Sequence, residues 1–192
     1  MEQIKTRVTQ ADLQRLDAED KWIEVEHGEI IESESGVTVF HHIIILNLLF
    51  VLRPFVRDNK LGTVFGDGVR YILVGTLEDI ERARIPDLSF LRVGRIPKDF
   101  DWSGDFVGAP DLAVEVASPG QTNTVLLPKI IRYLEAGSEE AWLIYPSRRV
   151  LYQYRRDAEE PVLYRDNEVV DTSVLFPGLK LVLADLFITE TE

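Results

Sequence analysis

The chain reads as a single α/β domain with a mixed sheet flanked by helices. Three observations predict this. Short runs of β-branched and aromatic residues, bounded by Gly, Pro and Asp, alternate with stretches whose apolar residues fall at helical spacing. A length of 192 residues with 45% hydrophobic residues suits one compact core and argues against disorder. No internal repeat, low-complexity tract or linker divides the chain.

Taken in order, Thr9 caps a short amphipathic helix that carries Leu13 and Leu16 to about Ala18, with Asp12 in its first turn. Trp22 to Glu26 and Glu29 to Glu32 read as a hairpin around His27-Gly28. Val37 to about Val56 is the longest helical stretch, striped by Ile44, Leu48, Val51 and Leu52, with Pro54 expected to kink or end it. Short strands are expected at Thr63 to Phe65, Arg70 to Val74 and Asp87 to Leu91, followed by a loop from Gly94 to Ala109 rich in Gly, Pro, Asp and Trp, of the kind found near sites. A strand from Asp111 to Val116 leads to a helix from Thr124 to Ala136, stopped by Gly137. Strands at Trp142 to Tyr145 and Val150 to Tyr154 flank a Pro146-Ser147 turn, another spans Pro161 to Arg165, and an apolar segment ends at Phe187. The expected layout is an N-terminal helix and hairpin at about 8–34, a core at about 37–156 and a C-terminal extension at about 157–192.

Composition narrows the function classes. The longest apolar run, Ile43 to Val51, is about half of the roughly 20 residues that a membrane helix needs, so no membrane span is expected. The first residues lack the apolar centre of a signal peptide, which makes the cytoplasm the default location. Without cysteine there is no disulfide, thiolate or Cys-based zinc chemistry, and the three histidines, at 27, 41 and 42, have no zinc spacing. A net charge of −12 opposes long-range attraction to nucleic acid. Basic residues cluster locally at Arg82/Arg84, Arg92/Arg95/Lys98, Arg148/Arg149 and Arg155/Arg156. No G-x-S-x-G elbow, Gly-rich phosphate loop or aromatic-basic stripe of a single-strand reader is evident.

The chemistry concentrates in Pro110 to Pro119, where Glu115 interrupts a buried apolar strand. A carboxylate there is costly unless paired or bound to a metal. Asp87 heads another apolar strand, and Lys129 lies on the following helix. Asp111 and Glu115 share a strand face, but four residues separate them by roughly 13 Å, so they are poor partners for one ion. Asp87 and Glu115 could converge if their strands pair, since neighbouring strands lie about 5 Å apart. Two carboxylates suit Mg²⁺ or Mn²⁺, and a nearby ammonium would orient water or offset charge developing on a phosphate. The plainer alternative makes Asp87 a turn cap, Glu115 half of a buried salt bridge and Lys129 a surface lysine.

Several blocks together resemble the Uma-two family of restriction-type endonucleases, a branch of the PD-(D/E)xK nuclease superfamily. Ile23 to Ile30 is similar to the family's "YELIDGEL" block, and His41 with Ile44, Asn47 and Leu48 to its first long helix. Pro86-Asp87 matches its "PD" element, and Pro110 to Pro119 matches "PDLVVEVLSPS". Lys129, Tyr133, Ala136 and Gly137 match "EKL..Y..AG"; Ala141 to Ile144 resembles "YWLVDP", and Phe176 to Leu179 with Leu186-Phe187 resembles "LPGL…LF". The resemblance implies a restriction-endonuclease-like fold with Asp87 and Glu115 as ligands of Mg²⁺ or Mn²⁺ and Lys129 as the catalytic lysine. It implies Glu24 and His41 as accessory groups at the rim of the cleft; Asp111 matches the family's frequent "PD" aspartate, but the strand geometry makes it an outer or structural acid. Three departures are Val125 for an Asp, Pro128 for the Glu before the lysine and Tyr145 for another Asp; Pro128 is expected to start the helix late and bring Lys129 to its N-terminus. The implied activity is metal-dependent endonucleolytic hydrolysis of DNA, with weak DNA affinity expected from the acidic charge. A homodimer could form through apolar edge strands. The alternative is a degenerate nuclease fold that binds nucleic acid or protein without catalysis.

Overall fold

The structure, a computed structural model, describes residues 7–17, 23–32, 38–119, 121 and 123–189. Helix α1 (Gln10–Asp17) begins at a reciprocal cap: Thr9 Oγ1 accepts from the Asp12 amide at 3.3 Å, and the Asp12 carboxylate accepts from the Thr9 amide at 3.0 Å. Strands β1 (Ile23–Glu26) and β2 (Glu29–Glu32) turn through His27 and Gly28, both at positive φ (53° and 72°), as a tight two-residue hairpin requires. The expected contributions of Ala18, Trp22 and Val37 to these elements and to the next helix lie outside the described residues.

Helix α2 (Val39–Asp58) is capped by Thr38, whose Oγ1 accepts from the His41 amide at 3.2 Å. Pro54 does not end it. The proline is exposed, and the turn beyond it is anchored by buried Val56 and by the Asn59 amide donating to Phe55 O at 3.0 Å, which together offset one lost backbone bond. The helix also corrects the expectation that no segment could span a membrane. At 20 residues, with a mean hydropathy of 1.9 over an 18-residue window, it is long and apolar enough by length and composition. The apolar run from Ile43 to Val51 undercounted it, because the helix begins at Val39 and continues past Arg53 to Asp58. Its stripe of Ile44, Ile45, Leu48, Leu52 and Val56 is buried in the main core.

The chain continues through β3 (Gly62–Phe65), β4 (Tyr71–Thr76), β5 (Asp79–Arg84), β6 (Leu88–Arg92), β7 (Phe106–Val107), β8 (Leu112–Val116), α3 (Asn123–Glu135), β9 (Glu140–Tyr145), β10 (Val150–Arg155), β11 (Val162–Arg165), β12 (Val169–Val170) and β13 (Leu181–Val182). Strands β5, β7, β12 and β13 were not legible in the sequence. In β5, DIERAR, only Ile80, Ala83 and Arg84 are buried, and the strand exists because β4 and β1 pair with its two edges.

The main sheet has the order β11-β10-β9-β8-β6-β3 and is mixed: β8 and β9 run parallel, joined through α3, while the other pairs are antiparallel. Strand alternation gives it two cores. Leu112, Val114 and Val116 of β8 face α2, and Ala113 faces Leu126, Ile130 and Tyr133 of α3. The segment after residue 157 adds β11 to the edge of this sheet and Leu175, Phe176, Leu183, Leu186 and Phe187 to its core. A second sheet, β2-β1-β5-β4-β7, closes with α1 over Leu13, Ile23, Val25, Ile72 and Ile80.

Leu48 is fully buried in α2 against the main sheet. Leu48→Ala is expected to lower unfolding free energy by about 2–5 kcal/mol through lost burial and a residual cavity, measured by urea denaturation. A loss under about 1 kcal/mol would show that α2 is not integral to this core.

Candidate active site

The register of β6 on β8 pairs Leu88 with Val114 and Ser89 with Ala113, which sets Asp87, one residue before β6, across from Glu115. The Asp87 amide donates to Val114 O at 3.0 Å, and its Oδ2 accepts from the Val116 amide at 2.6 Å. Glu115 shares its strand face with Ala113 and so points toward α3. There Lys129 and Tyr133, four residues apart, lie on one side of the helix. The Tyr133 hydroxyl donates to Glu115 Oε1 at 2.8 Å, and Lys129 Nζ is 4.0 Å from Oε2.

Strand β1 supplies the next acid. Ile23 and Val25 are buried against α1, so Glu24 projects the other way, where it accepts from Lys129 Nζ at 2.8 Å. From the first turn of α2, His41 Nε2 lies 3.1 Å from Asp87 Oδ2 without forming a hydrogen bond, and Nδ1 has no hydrogen-bond partner either.

The fold thus brings together Asp87, Glu115, Lys129, Glu24 and His41. Glu24 and His41 are 6% and 4% exposed, which corrects their expected place at the rim: both are inside the cluster. Asp111 is not part of it. Its buried carboxylate accepts from the Arg92 amide at 2.8 Å and from Arg95 Nη1 at 2.9 Å, at the other end of the strand. The expectation that Pro128 starts its helix late is also overturned. The helix begins at Asn123, so Pro128 falls inside it and Lys129 is mid-helix. Val125 is exposed on that helix, and Tyr145 ends β9 under the Arg148 guanidinium at 5.8 Å.

Sequence reasoning missed Asp67 and Arg84. Asp67 sits in the Gly66-Asp67-Gly68 segment after β3, close enough to act electrostatically on Asp87. An acid between two glycines was its available signal. Arg84 donates to Val25 O at 2.6 Å, pairs with Glu26, and brings its Nε 3.9 Å from Glu24.

Burial sets the electrostatics. It pushes the Asp87 carboxyl well above the usual range, and Glu115 and Asp67 add to the push. Burial also raises Glu115, with Lys129 opposing and Glu24 reinforcing. At Lys129 burial works against the charge, yet Glu115 and Glu24 outweigh it and raise the ammonium above its ordinary value. His41 is held down to about 4 by burial and by neighbouring His42, so it is neutral at pH 7. Two facing acids in a dry site titrate as a pair that resists carrying two charges. Among the described residues no group of three or more His, Asp or Glu is placed to enclose a metal ion. A two-carboxylate donor set is the kind that Mg²⁺ uses with water and substrate oxygens.

The sequence profile of Uma2, described as "Putative restriction endonuclease", matches residues 10–184. A putative nuclease belonging to DUF820, from Anabaena variabilis ATCC 29413, has a similar crystal structure, with a TM-score of 0.77, 24% identity, and coverage of 94% of this chain and 97% of that one. This likeness shows the restriction-endonuclease-like fold. No curated protein matches the chain.

The Asp87 shift has a measurable sign. A carboxyl whose folded value is raised binds more protons folded than unfolded, so stability falls as pH rises above about 4 and until its folded value is passed. In chelator, Asp87→Asn is therefore expected to gain stability relative to wild type as pH rises from about 4 to 8, read by urea denaturation at each pH. His41 acts with the opposite sign between 4 and 6.5, which is why the comparison uses the difference between the two proteins. A difference that does not grow with pH would refute the raised carboxyl.

Proposed function

On the premise that the chain belongs to the Uma2 family, we propose that it is a divalent-metal-dependent endonuclease hydrolysing DNA phosphodiester bonds. The single observation that carries the reading is the pairing of β6 with β8, which sets Asp87 across from Glu115 beside the ammonium of Lys129. The residues fit the cation that such chemistry uses. Asp87 and Glu115 are oxygen donors whose proton affinity is raised by burial and by neighbouring acids, Glu115 acting on Asp87 and Glu24 on Glu115, the condition that a divalent ion relieves. Bound there, Mg²⁺ or Mn²⁺ would neutralise phosphate charge and lower the pKa of a coordinated water.

The remaining roles belong to the chain. Lys129, raised by its acidic neighbours, stays protonated at neutral pH and acts as a cation rather than a base: it offsets the charge that develops on the phosphate oxygens. Glu24 holds that ammonium at 2.8 Å and fixes its reach. Tyr133 fixes one oxygen of Glu115, leaving Oε2 nearer Lys129. His41, neutral and against Asp87, packs the carboxylate rather than shuttling a proton near pH 7.

The second reading, a nuclease fold that binds without cutting, is favoured by the net charge of −12 and by the small donor set. Calorimetry with Mg²⁺ and Mn²⁺ separates the two. Binding of about one ion per chain is expected, lost in Asp87→Ala and in Glu115→Ala. Lys129→Ala is expected to keep the ion and to lower DNA cleavage by about 100-fold or more. No binding at millimolar metal, with or without DNA, and no cleavage would overturn the catalytic reading in favour of the second.

A further inference from the structure

Beside the acidic cluster lies a cleft of about 510 Å³ that the nuclease chemistry does not use. Its walls are Phe65, Phe100, Trp102 and Phe106, with Arg70 and Asp105 at the base. The rings form one connected set. Phe100 stacks on Phe106 at 4.2 Å and 2°, Phe106 packs against Phe65 at 5.5 Å, and Trp102 meets the edge of Phe100 at 5.4 Å and 89°. Trp102 is 71% exposed, so a large aromatic face is offered to solvent. The loop that carries it is pinned: Ser103 is held by Asp101 at 2.7–2.9 Å, and Gln14 of α1 donates to Ser103 O at 3.4 Å. At Gly104 an added Cβ would lie 2.8 Å from the Gln10 side-chain Nε2.

The charge of the cleft says which part of a nucleotide it takes. Arg70 is 5% exposed and already paired with Asp17 at 2.5 Å and Asp105 at 3.3 Å. Two acids against one occupied cation leave the base of the cleft unfavourable to phosphate. A neutral, flat, hydrogen-bonding group suits it better: an aromatic face for stacking, and carboxylate oxygens for amino groups on a base edge. A volume of about 510 Å³ lies within the range of small-ligand sites. The cleft also adjoins the cluster. Gly68, on its wall, follows Asp67, and Ile85, also on its wall, donates its amide to Glu24 at 3.5 Å.

We propose that this cleft binds an unpaired nucleobase of the DNA strand next to the phosphate being cut, stacked on Trp102. The inference rests on the nuclease reading and narrows its substrate to single-stranded or locally unpaired DNA, because a base inside a duplex cannot offer its face. The aromatic surface is assembled from two separate segments, Phe65 at the end of β3 and Phe100, Trp102 and Phe106 in a later stretch, with no basic residues interleaved between residues 100 and 106.

The test is binding of a labelled oligonucleotide of about 12 nucleotides by fluorescence anisotropy, in chelator and in Mg²⁺, with cleavage scored separately. Single strands are expected to bind more tightly than the duplex. An abasic site at one position should weaken wild-type binding about 10-fold, the size of one base–aromatic stack. Trp102→Ala should weaken binding by a similar factor and become indifferent to that abasic site, while Trp102→Tyr should stay within about 3-fold of wild type. Unchanged affinity in Trp102→Ala overturns the proposal. So does a preference for duplex, a mononucleotide that binds as tightly as the oligonucleotide, or the absence of any binding. A protein that stacks single strands on Trp102 but never cuts would sink the nuclease reading and leave the base-binding cleft without the cut phosphate beside it. One that cuts duplex with Trp102→Ala unaffected would do the reverse.

Discussion

A carboxylate in the middle of a buried strand is the constraint around which this structure is arranged. Glu115 is 4% exposed and lies between Val114 and Val116, both committed to the opposite core. An isolated charge there would cost several kcal/mol, so compensation has to come from other elements. It comes from the Tyr133 hydroxyl and the Lys129 ammonium on one side of α3. Lys129 in turn is held by Glu24 of β1, a charged tie from the second sheet that adds to the apolar packing of Tyr71, Leu73 and Phe106 against Ala113 and Leu143 of the first. Removing one member of such a network leaves another charge buried and unpaired, which is more costly than never having built it.

The same logic extends one step outward from Lys129. Glu26, two residues after Glu24 and so on the same strand face, is surrounded by Arg82, Arg84 and Arg132. The result is a layer of alternating charge between β1, β5 and α3, in which Arg84 Nε alone among the arginine nitrogens of the described residues is buried without a hydrogen-bond partner. It also explains where the basic residues of an acidic chain have gone. Arg92 pairs with Glu139, Arg95 with Asp111, and Arg155 with Glu140 and Asp171. These guanidiniums brace the fold and are not free to track a phosphate backbone. Under the proposed function, a bound cation and contacts to the bases supply the attraction for a polyanion, with the acidic cluster and the aromatic cleft taking complementary parts.

Much of this architecture was legible in the residues themselves. The apolar stripe of α2, the His27-Gly28 hairpin, the Pro146-Ser147 turn and the apolar run around Glu115 are local patterns. Local sterics and periodicity fix such elements wherever the chain places them. The oddity of Glu115 was readable for the same reason, since a charge breaking an apolar strand needs no neighbour to be noticed. Strand β5 was not readable, because its charged sequence becomes a strand only through its two pairing partners. Nor was the choice at Pro54 between ending the helix and letting it run on to Asp58, which depends on Val56 being buried in the core.

What the sequence determined by itself was the α/β class, most of the elements and the candidacy of the groups at 87, 115 and 129. What only the tertiary structure decided was their company: Asp87 across from Glu115, Glu24 and His41 inside the cluster, Asp67 acting on Asp87, and Asp111 turned to Arg95. The reason is physical. Side-chain direction along a strand or helix follows from local geometry, whereas the register between strands and the proximity of distant segments follow from the packing of the whole chain.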